Sequence, residues 1–234
     1  MSEDELVGYL AALQLADSAF SSGRYTLSYG LETVAEGGEL TADTLTSLLS
    51  HNVRFAMAPS DGIAVACAHR AVASDGSVDV DLVLRADKRL TAVKLAREAR
   101  DTSTRTGRAL LRTATAIAEH PLLDDHAARI EDGASPGNHA VVLGLVSAVM
   151  GVPRLAAVAG ELYAFCAAWV AAAVRLGSID HRTAQRVLHD VRSVTACAAQ
   201  LAVDCDVTSI SSCTPFLDVM SMRHEQAELR LFAS

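Results

Sequence analysis

A run of twenty residues, 155–174, constrains this chain more than any other feature: it carries a single charge, Glu161, and nine alanines. Such a run is long enough to cross a bilayer as a helix. Alanine offers lipid little apolar area, however, and the bulky side chains of a membrane span are few. The run therefore reads as a helix buried at the centre of a soluble fold. A buried helix needs other helices or a sheet packed around it, so the rest of the chain decides the class.

No alternating strand pattern appears, and helical periodicity dominates. Alanine and leucine are plentiful while aromatics make up 4%, a balance that favours helix because these side chains lose little rotamer freedom there. Thr41 reads as an N-cap, with Leu45, Leu48, Leu49, Val53 and Ala56 on one apolar face and Pro59 as the break. Further helices are expected at 61–73, from Asp79 toward Leu90, at 91–118 with Gly107 inside, and from Pro121 to about Asp132. Asn138 is read as capping a helix to Met150. The central helix starts after Pro153 and ends at Gly177, and Asp180 caps a last long helix toward Val203. Residues 206–234 are mixed, with 209–215 loop-like and 220–232 helical. With no repeat and no linker, the expectation is an all-α, single-domain bundle of about ten helices spanning 1–234 around a long buried central helix.

The net charge of −8 opposes nucleic acid as a partner, since phosphates demand a basic surface. Five cysteines without a C-x-x-C pair point to a reducing cytoplasm and not to a disulfide framework. The acidic start lacks the basic and apolar regions of a signal peptide. Catalytic signatures are missing: no G-x-x-x-x-G-K-[ST], no G-x-G-x-x-G after a strand, no G-x-S-x-G. His224-Glu225 opens like H-E-x-x-H, but the fifth position is Glu228, so a two-histidine zinc face is absent. His181 and His189 read as surface or packing groups, the cysteines as apolar thiols, and the pairs Asp79/Asp81 and Asp204/Asp206 as helix-end groups.

Two features exceed what a plain bundle needs. Lys94, Arg97, Arg105, Arg108 and Arg112, with Asp101 between them, fall on one helix face. They form either a solvated face or a contact for an acidic protein. Residues 17–32, D-S-A-F-S-S-G-R-Y-T-L-S-Y-G-L-E, interrupt the periodicity with glycines and two tyrosines. The stretch is either a structural loop or a binding loop leading into a helix near Ser28.

That segment also carries a family resemblance. Phe20-Ser-Ser-Gly23-Arg-Tyr25-Thr-Leu-Ser28-Tyr-Gly30-Leu31-Glu32 resembles the F-P-x-G-x-[FY]-x-H-S-x-G-L-E motif of UreF proteins. In the same order follow Arg100-x-x-Ser103-x-x-x-Gly107-Arg108, then Gly137-Asn-His139-Ala-Val-Val-x-Gly144, then Arg175-Leu-Gly177 with Gln185-Arg186. Last comes His224-Glu225-x-x-x-x-Arg230-Leu231-Phe232-x-Ser234, similar to the family's H-E-x-x-x-x-R-L-[FY]-x-S ending. Ser21 stands where the family has proline and Leu27 where it has histidine, and Ser178 and Asp180-His181 depart from its P-L-x-Q pattern.

The resemblance implies a cytoplasmic, usually dimeric, non-enzymatic helical protein. It would bind a UreD/UreH-type accessory protein, recruit the UreG-type GTPase and serve nickel insertion into the urease apoprotein. It implies no resident cofactor, nickel being handled by the assembly, and no membrane. The partner-binding residues it implies are Gly23, Tyr25, Ser28, Gly30, Glu32, Arg100, Ser103, Gln185, His224, Glu225, Arg230, Leu231 and Phe232. Those matching Tyr25 and Arg230 are tied to assembly and GTPase recruitment, and the 206–234 tail to partner-dependent order. The competing readings are a helical enzyme or nickel-binding carrier using His224, Glu225 and nearby cysteines, or a diverged helical scaffold with another partner.

Overall fold

Nine successive residues, 139–147, are buried, so the helix that carries them has no solvent face and must be enclosed. The computed structural model describes residues 2–17, 20, 27, 30–38 and 40–225. Among these it forms α1 (Glu3–Ala16), α2 (Leu31–Glu36), α3 (Ala42–Asn52), a π-helical segment (Val53–Gly62), α4 (Ile63–Arg70), α5 (Val80–Val93) and α6 (Arg97–Ala118). Then follow α7 (Pro121–Glu131), α8 (His139–Val149), α9 (Arg154–Arg175), α10 (His181–Asp190), α11 (Arg192–Ala202), a 3-10 turn (Val207–Ser209) and α12 (Pro215–His224). No strand forms among the described residues; the single β-bridge joins Val72 and Val78 across the turn at Gly76.

The centre of the bundle is shared by α8 and α9. Helix α9 packs against α1, α4, α8, α10, α11 and the π segment, burying Val158, Leu162, Phe165, Trp169 and Val170. It is apolar and long enough to cross a membrane by composition, but here it lies within the fold, with Leu155 and Tyr163 as its large exposed apolar side chains. Helix α8 is held between α4 and α6 at distances that only glycine permits. A Cβ on Gly144 would sit 2.5 Å from the Val65 carbonyl oxygen, and one on Gly107 would sit 2.1 Å from that of Gly137.

Caps behave as their residue types require. Thr41 accepts from the Thr44 N–H, Asp79 from Leu82 and Asp180 from Thr183, each satisfying an orphan donor. Four expected boundaries are corrected. Pro59 does not end a helix: the chain runs through it as the π segment, whose wider turn accommodates the ring. The Phe55 carbonyl, which an α-helix would offer to the N–H that proline lacks, accepts instead from Cys213 N at 2.8 Å, while Pro59 O accepts from Ser211 N at 3.0 Å. Residues 91–118 form two helices, broken at 94–96, and 181–203 likewise break at Val191. The tail's helix starts earlier than expected, with Pro215 in its first turn.

The α8 N-terminus is set by a buried carboxyl that sequence reading did not single out. Asp87 of α5 has no solvent exposure. It accepts from Gly137 N at 2.7 Å, Asn138 N at 3.0 Å, Asn138 Nδ2 at 2.7 Å and the Ser135 hydroxyl. Asn138, expected as a capping side chain, sits at the N-cap but turns its amide to Asp87 and Thr91.

The two kinds of glycine separate in a stability assay. Gly107→Ala costs about 3 kcal/mol because backbone, not a movable side chain, opposes the new methyl. Gly160→Ala, on α9 with nothing within 4 Å of its Cβ position, gains up to about 1 kcal/mol of helix propensity. Urea denaturation of both variants measures the difference.

Candidate functional site: a polar clasp under the C-terminal helix

Helix α12 buries only Leu217 and His224, so its seat on the body depends on few contacts. It packs against α2 and α6. At its end, His224 is enclosed, with its Nε2 3.1 Å from Glu32 Oε2 of α2 and its Nδ1 2.9 Å from Glu98 Oε2 of α6. Burial alone pushes the imidazole pKa down, but the bonds to Glu98 and Glu32 and their charges outweigh it, so the ring titrates above its ordinary range. The two carboxylates approach opposite nitrogens of the ring, so these three groups do not face a common point as metal ligands must.

The next residue completes the join. Glu225 Oε1 accepts from the Glu98 N–H at 2.9 Å, occupying an orphan donor at the start of α6, where Ala96 supplies no side-chain cap. A carboxylate also suits the positive end of the helix dipole. On the opposite side, Gly30 begins α2 with φ +80°, and a Cβ there would lie 2.8 Å from Ser221 Oγ of α12. Glycine is needed both for the left-handed turn and for the closeness of the two helices.

Beneath α12 lies a cavity of about 120 Å³ lined in part by Asp61, Lys94, Ser103, His139, Glu161 and Asp218. Lys94 Nζ bonds both oxygens of Asp61, at 2.9 and 2.8 Å. His139 Nε2 is 3.7 Å from Glu161 Oε2, and burial pushes the Asp218 carboxyl up. Among the described residues, no group of three or more His, Cys, Asp or Glu is placed to share a metal ion.

Of the residues implied as partner-binding, Gly30, Glu32, His224 and Glu225 are brought together here. Arg100 and Ser103 lie nearby on α6 and work locally. Arg100 donates to the carbonyls of Lys94 and Leu95, at 2.7 Å each, closing the turn between α5 and α6. Ser103 accepts weakly from the His139 N–H at 3.4 Å. Gln185 is elsewhere, exposed on α10 beside a groove of about 350 Å³ that Tyr163, Arg175 and His181 also line. Gly23, Tyr25, Ser28, Arg230, Leu231 and Phe232 lie outside the described residues. Leu27 is fully buried, so the side chain at that departure from the family motif serves the core.

Sequence reading missed Glu98, because an acidic residue in a first helical turn is ordinary. It also missed the Asp61–Lys94 pair, since Lys94 had been placed in the basic stripe. Arg97, Arg105, Arg108 and Arg112 do stand exposed along α6, but Lys94 precedes that helix and turns inward. The paired aspartates have helix-end roles: Asp79 and Asp206 cap, Asp81 pairs with Arg85 at 2.8 Å, and Asp204 with Arg154 at 3.0 Å.

Fold and site together define an all-helical protein whose motif residues join one helix to another. A profile of the UreF family matches residues 40–192. A urease accessory protein UreF of Trichodesmium erythraeum (strain IMS101) is 29% identical over 239 residues, covering 100% of both chains. Those of Yersinia enterocolitica serotype O:8 and Yersinia pseudotuberculosis serotype IB are each 30% identical over 223 residues, covering 95% of this chain and 96% of theirs. The chain belongs to the UreF family of urease accessory proteins.

The cap is open to test. Glu225→Ala returns the Glu98 N–H to an unsatisfied state and costs about 1 kcal/mol, read by urea denaturation of the full chain. An unchanged midpoint would show that Glu225 adds nothing to the docking of α12.

Proposed function

We propose that this chain acts in urease maturation as a non-catalytic adaptor: it binds a UreD/UreH-type accessory protein and recruits a UreG-type GTPase for nickel insertion into the urease apoprotein. The observation that supports this reading most is the meeting of the two ends of the family motif. Gly30 and Glu32 from the N-terminal part, and His224 and Glu225 from the C-terminal part, converge on one clasp. The helix so held displays Phe216, Val219 and Met222 outward, with Phe216 55% exposed. Apolar side chains displayed on one docked terminal helix suit a protein partner, whose contact core is apolar and aromatic.

In this reading 1–234 is a single domain with 206–234 as its partner-dependent part, nickel belongs to the assembly, and the protein works in the cytoplasm as a homodimer. Tyr25 and Arg230 are its interface anchors, supported by their places in the motifs. Arg230→Ala or Tyr25→Ala leaves the folding of the free chain intact and weakens assembly by about 2 kcal/mol or more.

The experiment is a pull-down of the chain with its cognate UreD/UreH-type and UreG-type proteins, with and without residues 222–234. A complex that requires this segment supports the adaptor reading. Failure of the intact chain to bind either protein overturns it.

A further inference from the structure

We infer that the Glu32–His224–Glu98 clasp is a pH-operated latch: the imidazolium form of His224 holds α12 on the body, and loss of its proton releases the helix. The argument rests on hydrogen-bond stoichiometry. Both ring nitrogens lie within bonding distance of carboxylate oxygens, at 3.1 and 2.9 Å. An ionised carboxylate only accepts, and a neutral imidazole has one N–H to give. With the ring neutral, one nitrogen lone pair therefore faces a carboxylate inside a site from which water is largely excluded. With the ring protonated, both contacts are charge-assisted hydrogen bonds.

Among the described residues, the titratable groups bonded to the ring are Glu32 from α2 and Glu98 from α6. On α12 itself, Arg223 and Glu225 flank His224, and Glu225 is engaged with the α6 backbone. Across the cavity that α12 covers, Lys94 and Asp61 are occupied with each other. The ring's folded-state pKa is raised, so the clasp contributes its full stabilisation below the unfolded pKa of histidine. It loses that stabilisation as pH rises through the folded value. Among the described residues, α12 buries one apolar side chain, Leu217, and is joined to the α6 backbone through Glu225. Release would uncover the cavity below Thr214, Leu217, Asp218 and Ser221. The inference stands on this geometry and is independent of the adaptor reading.

The test is amide hydrogen exchange of the full chain from about pH 6 to about pH 9, followed by mass spectrometry and corrected for the intrinsic pH dependence of exchange. Protection of α12 is expected to fall roughly tenfold for each unit by which the folded pKa exceeds the unfolded one, while α8 stays protected. Glu98→Gln supplies the control. A glutamine amide can donate to Nδ1 while Nε2–H donates to Glu32, so the neutral ring is satisfied and α12 stays protected throughout. Three outcomes overturn the inference: α12 protection in the parent chain that does not change with pH, the same alkaline opening in Glu98→Gln, or opening of α8 in step with α12.

Discussion

Everything above the core depends on the buried carboxyl of Asp87. Its oxygens gather the Ser135 hydroxyl, the Gly137 and Asn138 amides and the Asn138 side chain onto α5. That fixes where α8 begins and therefore where α8 lies between α4 and α6. A carboxyl taken wholly out of water is costly unless hydrogen bonds replace the lost hydration, and four donors do so here. The same loop presents the Gly137 carbonyl to α6, where only Gly107 leaves room for it. Charge, loop and glycine thus form one constraint: displacing the loop would orphan the carboxyl and also open the close approach of the Gly137 carbonyl to α6.

The class of fold was legible because it depends on patterns that act locally. The alanine-rich run, the caps Thr41, Asp79 and Asp180, and the glycine stop at Gly177 behave in the structure as their chemistry requires. The boundaries that failed were decided by distant parts of the chain. Pro59 breaks a helix unless its freed carbonyl finds another donor, and the donor is Cys213, more than 150 residues away. The stop at 94–96 depends on Lys94 turning inward to Asp61 and on Arg100 capping the carbonyls of 94 and 95. None of these events has a signature within the window that helical periodicity samples.

The site was legible as a set of residues and not as an arrangement. Glu32 and His224 were each singled out by motif, yet nothing in their neighbourhoods announces that one bonds the other across 192 positions. Glu98 completes the pair of carboxylates without any local signal, since a first-turn acid is what the helix dipole favours anyway. Arg100 shows the converse. It stands out in the motif, but a guanidinium committed to two backbone carbonyls is holding a turn, so its appearance in a family pattern can reflect the fold of α5 and α6 as much as any partner.

These observations place the terminal helix and the bundle at different levels of stability. The bundle encloses α8 and fixes its N-terminal end through the Asp87 network, so local opening there approaches global unfolding. Helix α12 buries one leucine, worth about 1.5–3 kcal/mol, and adds charge-assisted hydrogen bonds of about 1.5–3 kcal/mol each, offset by the entropy of ordering a chain end. Its attachment is therefore a balance among a few terms of similar size, and two of the polar terms share one imidazole while Glu225 supplies another. An element fastened so lightly to so rigid a body can change its contacts without disturbing the core, because the carbonyls of Phe55 and Pro59 tether the strand of chain before it at Cys213 and Ser211. The π segment that Pro59 requires is thus also the anchor from which α12 moves.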